Sequence, residues 1–432
     1  MKKFNIVTFG CQINEYESNK FRETLLNLGL EEVPDAKNAD IVLFNSCSVR
    51  EKSEEKLLSG VGFVRSLYEK NGFPKSIVTG CVATTEEKKI KKVGKNSVLT
   101  ILKGDEPLDE RREKIFKLLN PVSGEAATKV AVTSKPFEFV PVIFGCNSFC
   151  TYCIVPITKG RERSRLLDDI IKEIKGFVEH GTKEIILLGQ NINHYGLDLG
   201  NNNGFIELLE QVDKIEGLER IRFLTSHPAS FNEEILKRMS NLKHICPHFH
   251  LPIQSGSNRI LKLMNRGYTR EDYITLINEI KKLFTDVSIT TDIIVGFPTE
   301  TDSDFIETKK LVKEIMFDKS FIAAYSKRPY TPAAKMEGQV DDKVKKERLN
   351  ELLKIQNAIS LEKNRAYIGK TVELLVEGFG NGLTFGRIPQ DKLVIVEGKV
   401  GNLGDLMNVK ITDADFIHLR GFNYTFVPGT DV

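Results

Sequence analysis

No apolar run in the 432 residues approaches the ~18 needed to cross a bilayer, so a membrane helix is excluded. The amino-terminal stretch MKKFNIVTFGC carries lysines and a few apolar residues. It lacks the apolar core and small-residue cleavage site of a secretion signal, so a cytoplasmic protein is expected. An excess of either charge is missing as well: 62 Lys and Arg stand against 59 Asp and Glu, a net +3. That balance neither requires nor excludes a polyanionic partner, which leaves the decision to local patches. Cysteine is sparse, seven in all. An odd number without a secretion signal argues against a disulfide scaffold and for metal or redox chemistry.

With 41% hydrophobic and 28% charged residues the chain reads as globular, and its length suggests two to three domains. Up to about residue 120, short runs such as FNIVTF, DIVLF and KSIVT alternate with helical stretches. The pattern predicts a parallel α/β sheet domain. Each of those runs closes on a small or polar residue and a cysteine: Cys11, Cys47 and Cys81. Groups just past the carboxyl ends of neighbouring strands face one crevice, so these thiols form a candidate three-thiolate site. The competing reading is three core cysteines. Residues 121–137, rich in small and polar residues, read as a linker. Over 138–365, six strand-plus-helix repeats predict a partial parallel (β/α) barrel with its chemistry at the strand carboxyl ends, followed by a long charged helix. Short strands between glycine turns over 366–432 predict a small all-β barrel.

The stretch FGCNSFCTYCIVP holds Cys146, Cys150 and Cys153 as C-x3-C-x2-C. Structural zinc sites take four ligands, which three thiols do not supply. A 4Fe-4S cube held by three thiolates leaves one iron open to an outside chelator. With Tyr152 before the last cysteine, the motif resembles the radical S-adenosylmethionine superfamily. Across nearly the whole chain, TFGCQINEYES, NSCSVREKSEEKL, VTGCVA, LLGQNINHYG, TSHP, HLPIQSGSNRILKLMNRGYT, DIIVGFPTE and YSKRPYTPAA resemble the methylthiotransferases of that superfamily. The resemblance implies a second 4Fe-4S cluster on Cys11, Cys47 and Cys81 and a carboxyl-terminal RNA-binding TRAM module. It implies S-adenosylmethionine both as methyl donor and as source of a 5'-deoxyadenosyl radical, a tRNA substrate, a reducing partner such as flavodoxin or ferredoxin, and a monomer.

Matched motifs nominate Tyr152, Gln190, Ser226, Gln254, Arg266, Asp292 and Gly296 as cofactor-binding residues at or beyond strand ends. Gln and Ser side chains suit ribose or a carboxylate, Arg266 a bidentate carboxylate clamp, and Asp292 a ribose hydroxyl or an amine. Gly296 would let the backbone approach the cofactor. His227, His248 and His250 are read as packing residues and Cys246 as core.

Gln12, Asn14, Ser48, Val49 and Arg50, beside the first cysteines, resemble the branch acting on isopentenyl-adenosine, and their place facing the crevice suggests contact with the incoming base. The alternatives are a threonylcarbamoyl-adenosine in tRNA, a ribosomal-protein aspartate, or a non-catalytic iron-sulfur protein that binds RNA or senses redox state. Residues 366–432 hold six Lys and Arg against eight Asp and Glu, net -2, so that module offers no uniform basic surface. Lys159, Arg161, Arg163, Arg165, Lys327 and Arg328 are instead expected to contact phosphate. Two departures from the family pattern are Ser46, where Thr is common, and Tyr330, where Gly is usual.

Overall fold

A computed structural model of the chain describes residues 2–48, 51–120 and 135–423. Among these, no helix is long and apolar enough to cross a membrane. They form two compact units. One takes the described residues up to 120 together with Phe144–Asn147 and Cys153–Arg163; the other takes 135–143, Ser148–Tyr152 and the residues from 164 on. The stretches 144–147 and 153–163, expected in the central barrel, therefore group with the first unit.

The first unit is built on a parallel sheet in the order β2-β1-β3-β4-β5, with β1 at Lys3–Phe9, β2 at Glu31–Glu32, β3 at Ile41–Ser46, β4 at Lys75–Gly80 and β5 at Val98–Lys103. Strands β2 and β5 are additional to the three expected. Successive side chains of a strand point to opposite faces. Ile41, Leu43 and Ile77 pack with Phe4, Phe21 and Leu25, while Val42, Phe44 and Val78 pack with Leu57, Val61 and Ile90. Both faces are apolar, as a helix-covered parallel sheet requires. The helices expected here run over Gln12–Asn27 and Glu51–Asn71.

Register decides where the cysteines fall. Phe9 pairs with Ser46, and Ser46 with Gly80, so the carboxyl ends of β1, β3 and β4 lie in one row. The Cys47 N–H donates to the Phe9 carbonyl at 2.7 Å. Gly80 turns into Cys81 at φ +94°, where a Cβ would stand 2.5 Å from the Ser46 carbonyl oxygen. Only glycine fits that turn.

In the second unit, Phe137–Pro141, Glu184–Leu188 and Arg220–Leu224 form one parallel three-stranded sheet. His248–His250, Ser288–Val295 and Lys319–Ala324 form another, and an Ile221–Ile245 bridge continues the first sheet towards the second. These are the six expected strands in chain order. Leu187, Ile221, Phe223, Phe249 and Ile289 pack with Ile174, Leu208 and Leu311 of the surrounding helices. The long helix spans Asp342–Arg365. Five strands between Thr371 and Asn423 then close into a barrel. Of the expected linker, 121–134 lie outside the described residues, as do 424–432 of the last module, and Phe137 already belongs to a strand.

Candidate active site

The strand ends of the first unit bring three sulfurs together. Cys47 and Cys81 are buried and Cys11 is half-buried. The Cys47 thiol hydrogen-bonds with both Cys11 and Cys81. The Cys47 hydrogen bond lowers Cys81 to about 6 against the effect of burial, and Lys159 contributes. Cys11 falls to about 7, again chiefly through Cys47, while the two shared bonds raise Cys47 itself. Among the described residues, no group of three or more His, Cys, Asp or Glu side chains is arranged to hold a single metal ion. Three thiols without a histidine or carboxylate donor suit a cube, which takes one thiolate per iron.

Asn14 fixes Cys11. Its Oδ1 accepts from the Cys11 N–H and Sγ, both at 3.3 Å, and its Nδ2 donates to Asn45 on β3 at 2.9 Å. Asn14 is fully buried. It is a strut between cysteine loop and sheet, which corrects the expectation that it touches a base. Gln12 is exposed and Ser48 is buried with its hydroxyl unpartnered, whereas Val49 and Arg50 lie outside the described residues.

Lys159 also departs from expectation. It is buried, and its ammonium lies 2.7 Å from Oε1 of Glu17, itself 2.9 Å from Nη2 of Arg111. Burial alone raises the Glu17 pKa, but Arg111 and then Lys159 outweigh it and hold the carboxyl at about 2. A lysine so enclosed does not reach phosphate. On the same loop, Gly145 has φ +78° and a Cβ there would fall 2.0 Å from the Arg161 carbonyl oxygen; the Cys146 N–H donates to Gly160 at 3.2 Å.

In the second unit Cys150 is buried and receives Nη1 of Arg266 at 3.2 Å. Arg266 also donates to the Pro252 carbonyl at 2.8 Å and to the Tyr268 hydroxyl at 2.9 Å. With all three nitrogens engaged, it supports the Cys150 thiol instead of standing ready as a carboxylate clamp. Tyr152 packs against the apolar cluster that includes Ile260, Met264 and Phe297. Gln190 Oε1 and Ser226 Oγ are buried without partners, as polar atoms awaiting a ligand would be. Gln254 holds φ +73° beside the middle strand. Asp292 is half-exposed, with Oδ2 at 3.4 Å from His250 Nε2. Gly296 differs from expectation: its N–H donates to Glu300 at 2.9 Å, and a Cβ would meet the Lys345 side chain at 2.3 Å. The close approach it permits is to the long helix.

Cys246 is buried, and burial raises its thiol to about 12. Burial likewise lowers His248 to about 4 and His227 to about 3. Between those values and the ordinary 6.5 the unfolded chain binds the extra protons, so stability falls as the pH drops through that window. His248 alone contributes roughly 3 kcal/mol, at 1.36 kcal/mol per unit. His248→Gln is expected to flatten the loss of thermal stability between pH 6.5 and 4; an unchanged slope would contradict the assignment.

Residues 140–312 match the family model of the Radical SAM superfamily, 3–101 that of the Uncharacterized protein family UPF0004, and 365–421 that of the TRAM domain. The tRNA-2-methylthio-N(6)-dimethylallyladenosine synthase of Pelotomaculum thermopropionicum is 42% identical over 444 residues, covering 98% of this chain and 99% of that protein. The synthase of the same name from Carboxydothermus hydrogenoformans is 40% identical over 436 residues, covering 97% and 99%. The chain belongs to the tRNA-2-methylthio-N(6)-dimethylallyladenosine synthase family.

The radical S-adenosylmethionine methyltransferase TsrM from Kitasatospora setae shares the fold at TM-score 0.58 and 12% identity, over 77% of this chain and 75% of that one. OxsB, a cobalamin-dependent S-adenosylmethionine radical enzyme, matches at TM-score 0.51 and 15% identity, over 82% and 56%. In this synthase-family chain, Arg161 and Lys327 are exposed, and Arg163 and Arg328 half-buried. Arg165 is engaged with Glu173 at 2.8 Å and the Pro141 carbonyl at 2.9 Å, so it too departs from a free phosphate contact. The buried Glu17 was legible in principle, for it sits between Ile13 and Phe21 at helical spacing on the face that packs inward.

Proposed function

We propose that the enzyme adds a methylthio group to carbon 2 of isopentenyl-adenosine at position 37 of tRNA, using two 4Fe-4S clusters and two S-adenosylmethionines per turnover. The convergence of Cys11, Cys47 and Cys81 at three aligned strand ends, separate in sequence from C-x3-C-x2-C, is the observation that carries this reading. Cys146, Cys150 and Cys153 would hold the cluster that binds S-adenosylmethionine; Cys11, Cys47 and Cys81 would hold the one that presents sulfur. The chemistry supplied there is a radical that takes hydrogen from the base and a sulfur that replaces it.

The chain's own residues prepare that chemistry. Arg266 donates Nη1 to the Cys150 sulfur and so sets a fixed positive charge beside it. The unpartnered atoms of Gln190 and Ser226 are suited to the cofactor's polar groups. Within this reading the enzyme is a cytoplasmic monomer reduced by a flavodoxin- or ferredoxin-type protein. Nucleoside analysis of tRNA after anaerobic reaction tests it: methylthio-isopentenyl-adenosine is expected, and label appearing only in threonylcarbamoyl-adenosine or a ribosomal protein would overturn the substrate.

Arg161 and Arg163 are the remaining basic residues after the cysteine loop. Replacing both with Ala is expected to lower the slope of log affinity for tRNA against log salt by about 1 to 2, at 0.7–0.9 per phosphate contact. An unchanged slope would remove them from the interface.

A further inference from the structure

Glu17, Arg111 and Lys159 form a charged cluster closed to water, with side-chain exposures of 0%, 2% and 5%. Two cations face one carboxylate, which leaves one positive charge in excess. The cluster adjoins the three-thiol site at two points. Lys159 lies close enough to Cys81 for its charge to lower that thiol. Thr79, two residues before Cys81 on β4, accepts from Arg111 Nη1 at 3.0 Å.

We propose that this buried charge raises the reduction potential of the iron-sulfur cluster held by Cys11, Cys47 and Cys81, with Lys159 as the positioning residue that supplies the excess. The inference rests on the two-cluster reading above. Reduction adds a negative charge, and a fixed cation in a water-excluded setting stabilises the reduced form. The reaction has use for such an acceptor. When a carbon radical and an anionic methylthio sulfur join, the C–S bond forms and one electron is left over. A cluster held by Cys11, Cys47 and Cys81 would supply an acceptor for that electron, and the excess charge at Lys159 would favour its uptake.

The test uses full-length protein with Cys146, Cys150 and Cys153 replaced by Ala, so that the N-terminal cluster alone is read. Potentiometric titration followed by electron paramagnetic resonance is run on that parent and on Lys159→Met, Lys159→Arg and Glu17→Gln. Lys159→Met is expected to keep about four irons and to lower the reduced-to-oxidised ratio about tenfold at fixed solution potential, equivalent to 59 mV for one electron. Lys159→Arg is expected to restore the parent value, and Glu17→Gln to shift it the opposite way. A loaded Lys159→Met protein with an unmoved ratio would overturn the charge role alone. If Lys159→Met does not hold iron, Glu17→Gln decides, since no upward shift there overturns it equally. A parent without iron would sink the two-cluster reading and this inference with it.

Discussion

Cys81→Ala is expected to abolish methylthio incorporation into tRNA while S-adenosylmethionine is still cleaved to 5'-deoxyadenosine. The thiol sits at the end of β4, buried, and shares a hydrogen bond with Cys47. Loss of a residue beside a metal ligand already costs 10–100-fold, so loss of a ligand should lower methylthiolation by more than about 100-fold. Iron should fall by about four per chain, on four irons to a cube. The split between the two activities is the informative part. Equal loss of both would mean that Cys81 supports the fold at large, and retention of both would make it a core cysteine.

Arg222→Ala is expected to destabilise the second unit by about 3–5 kcal/mol, the cost of leaving a buried charge without its partner. Arg222 Nε donates to Glu184 Oε1 at 2.7 Å, and both side chains are no more than 2% exposed. Its remaining nitrogens donate to the carbonyls of Pro389 at 2.9 Å and Ile388 at 3.3 Å, in the turn between two strands of the C-terminal barrel. Arg220 stands 3.9 Å from Glu184 and is committed to Glu373 at 2.8 Å, so it replaces Arg222 poorly. Thermal unfolding should show the loss, with faster amide exchange at Ile388 and Asp391. A shift below about 1 kcal/mol would mean that water reaches Glu184 once the arginine is gone.

The sequence was most legible where one local pattern decides the outcome. Branched runs closing on a cysteine placed the ends of β1, β3 and β4, because strand polarity and register follow from the parallel α/β arrangement. The six strands of the second unit were legible for the same reason, and the closed, mostly antiparallel C-terminal barrel from its short strands between glycine turns. Pairing across long separations was not. Lys159 lies in a basic run that reads as a solvated face, yet its partner Glu17 is 142 residues earlier. Nothing in TKGRERSR distinguishes the buried lysine from the exposed Arg161. The contacts of Arg266 and Gly296 differ from those expected, since a motif gives a position while neighbours such as Tyr268 and Lys345 decide the contact.

The central claim, two clusters on two sets of three cysteines, is tested most directly by anaerobic iron and sulfide analysis with Mössbauer spectra. The comparison is between the native chain and the Cys146→Ala, Cys150→Ala, Cys153→Ala variant. About eight irons falling to about four is the result predicted, on four irons per cube. About four falling to none would contradict it, leaving Cys11, Cys47 and Cys81 as core residues and the enzyme without its sulfur-presenting site.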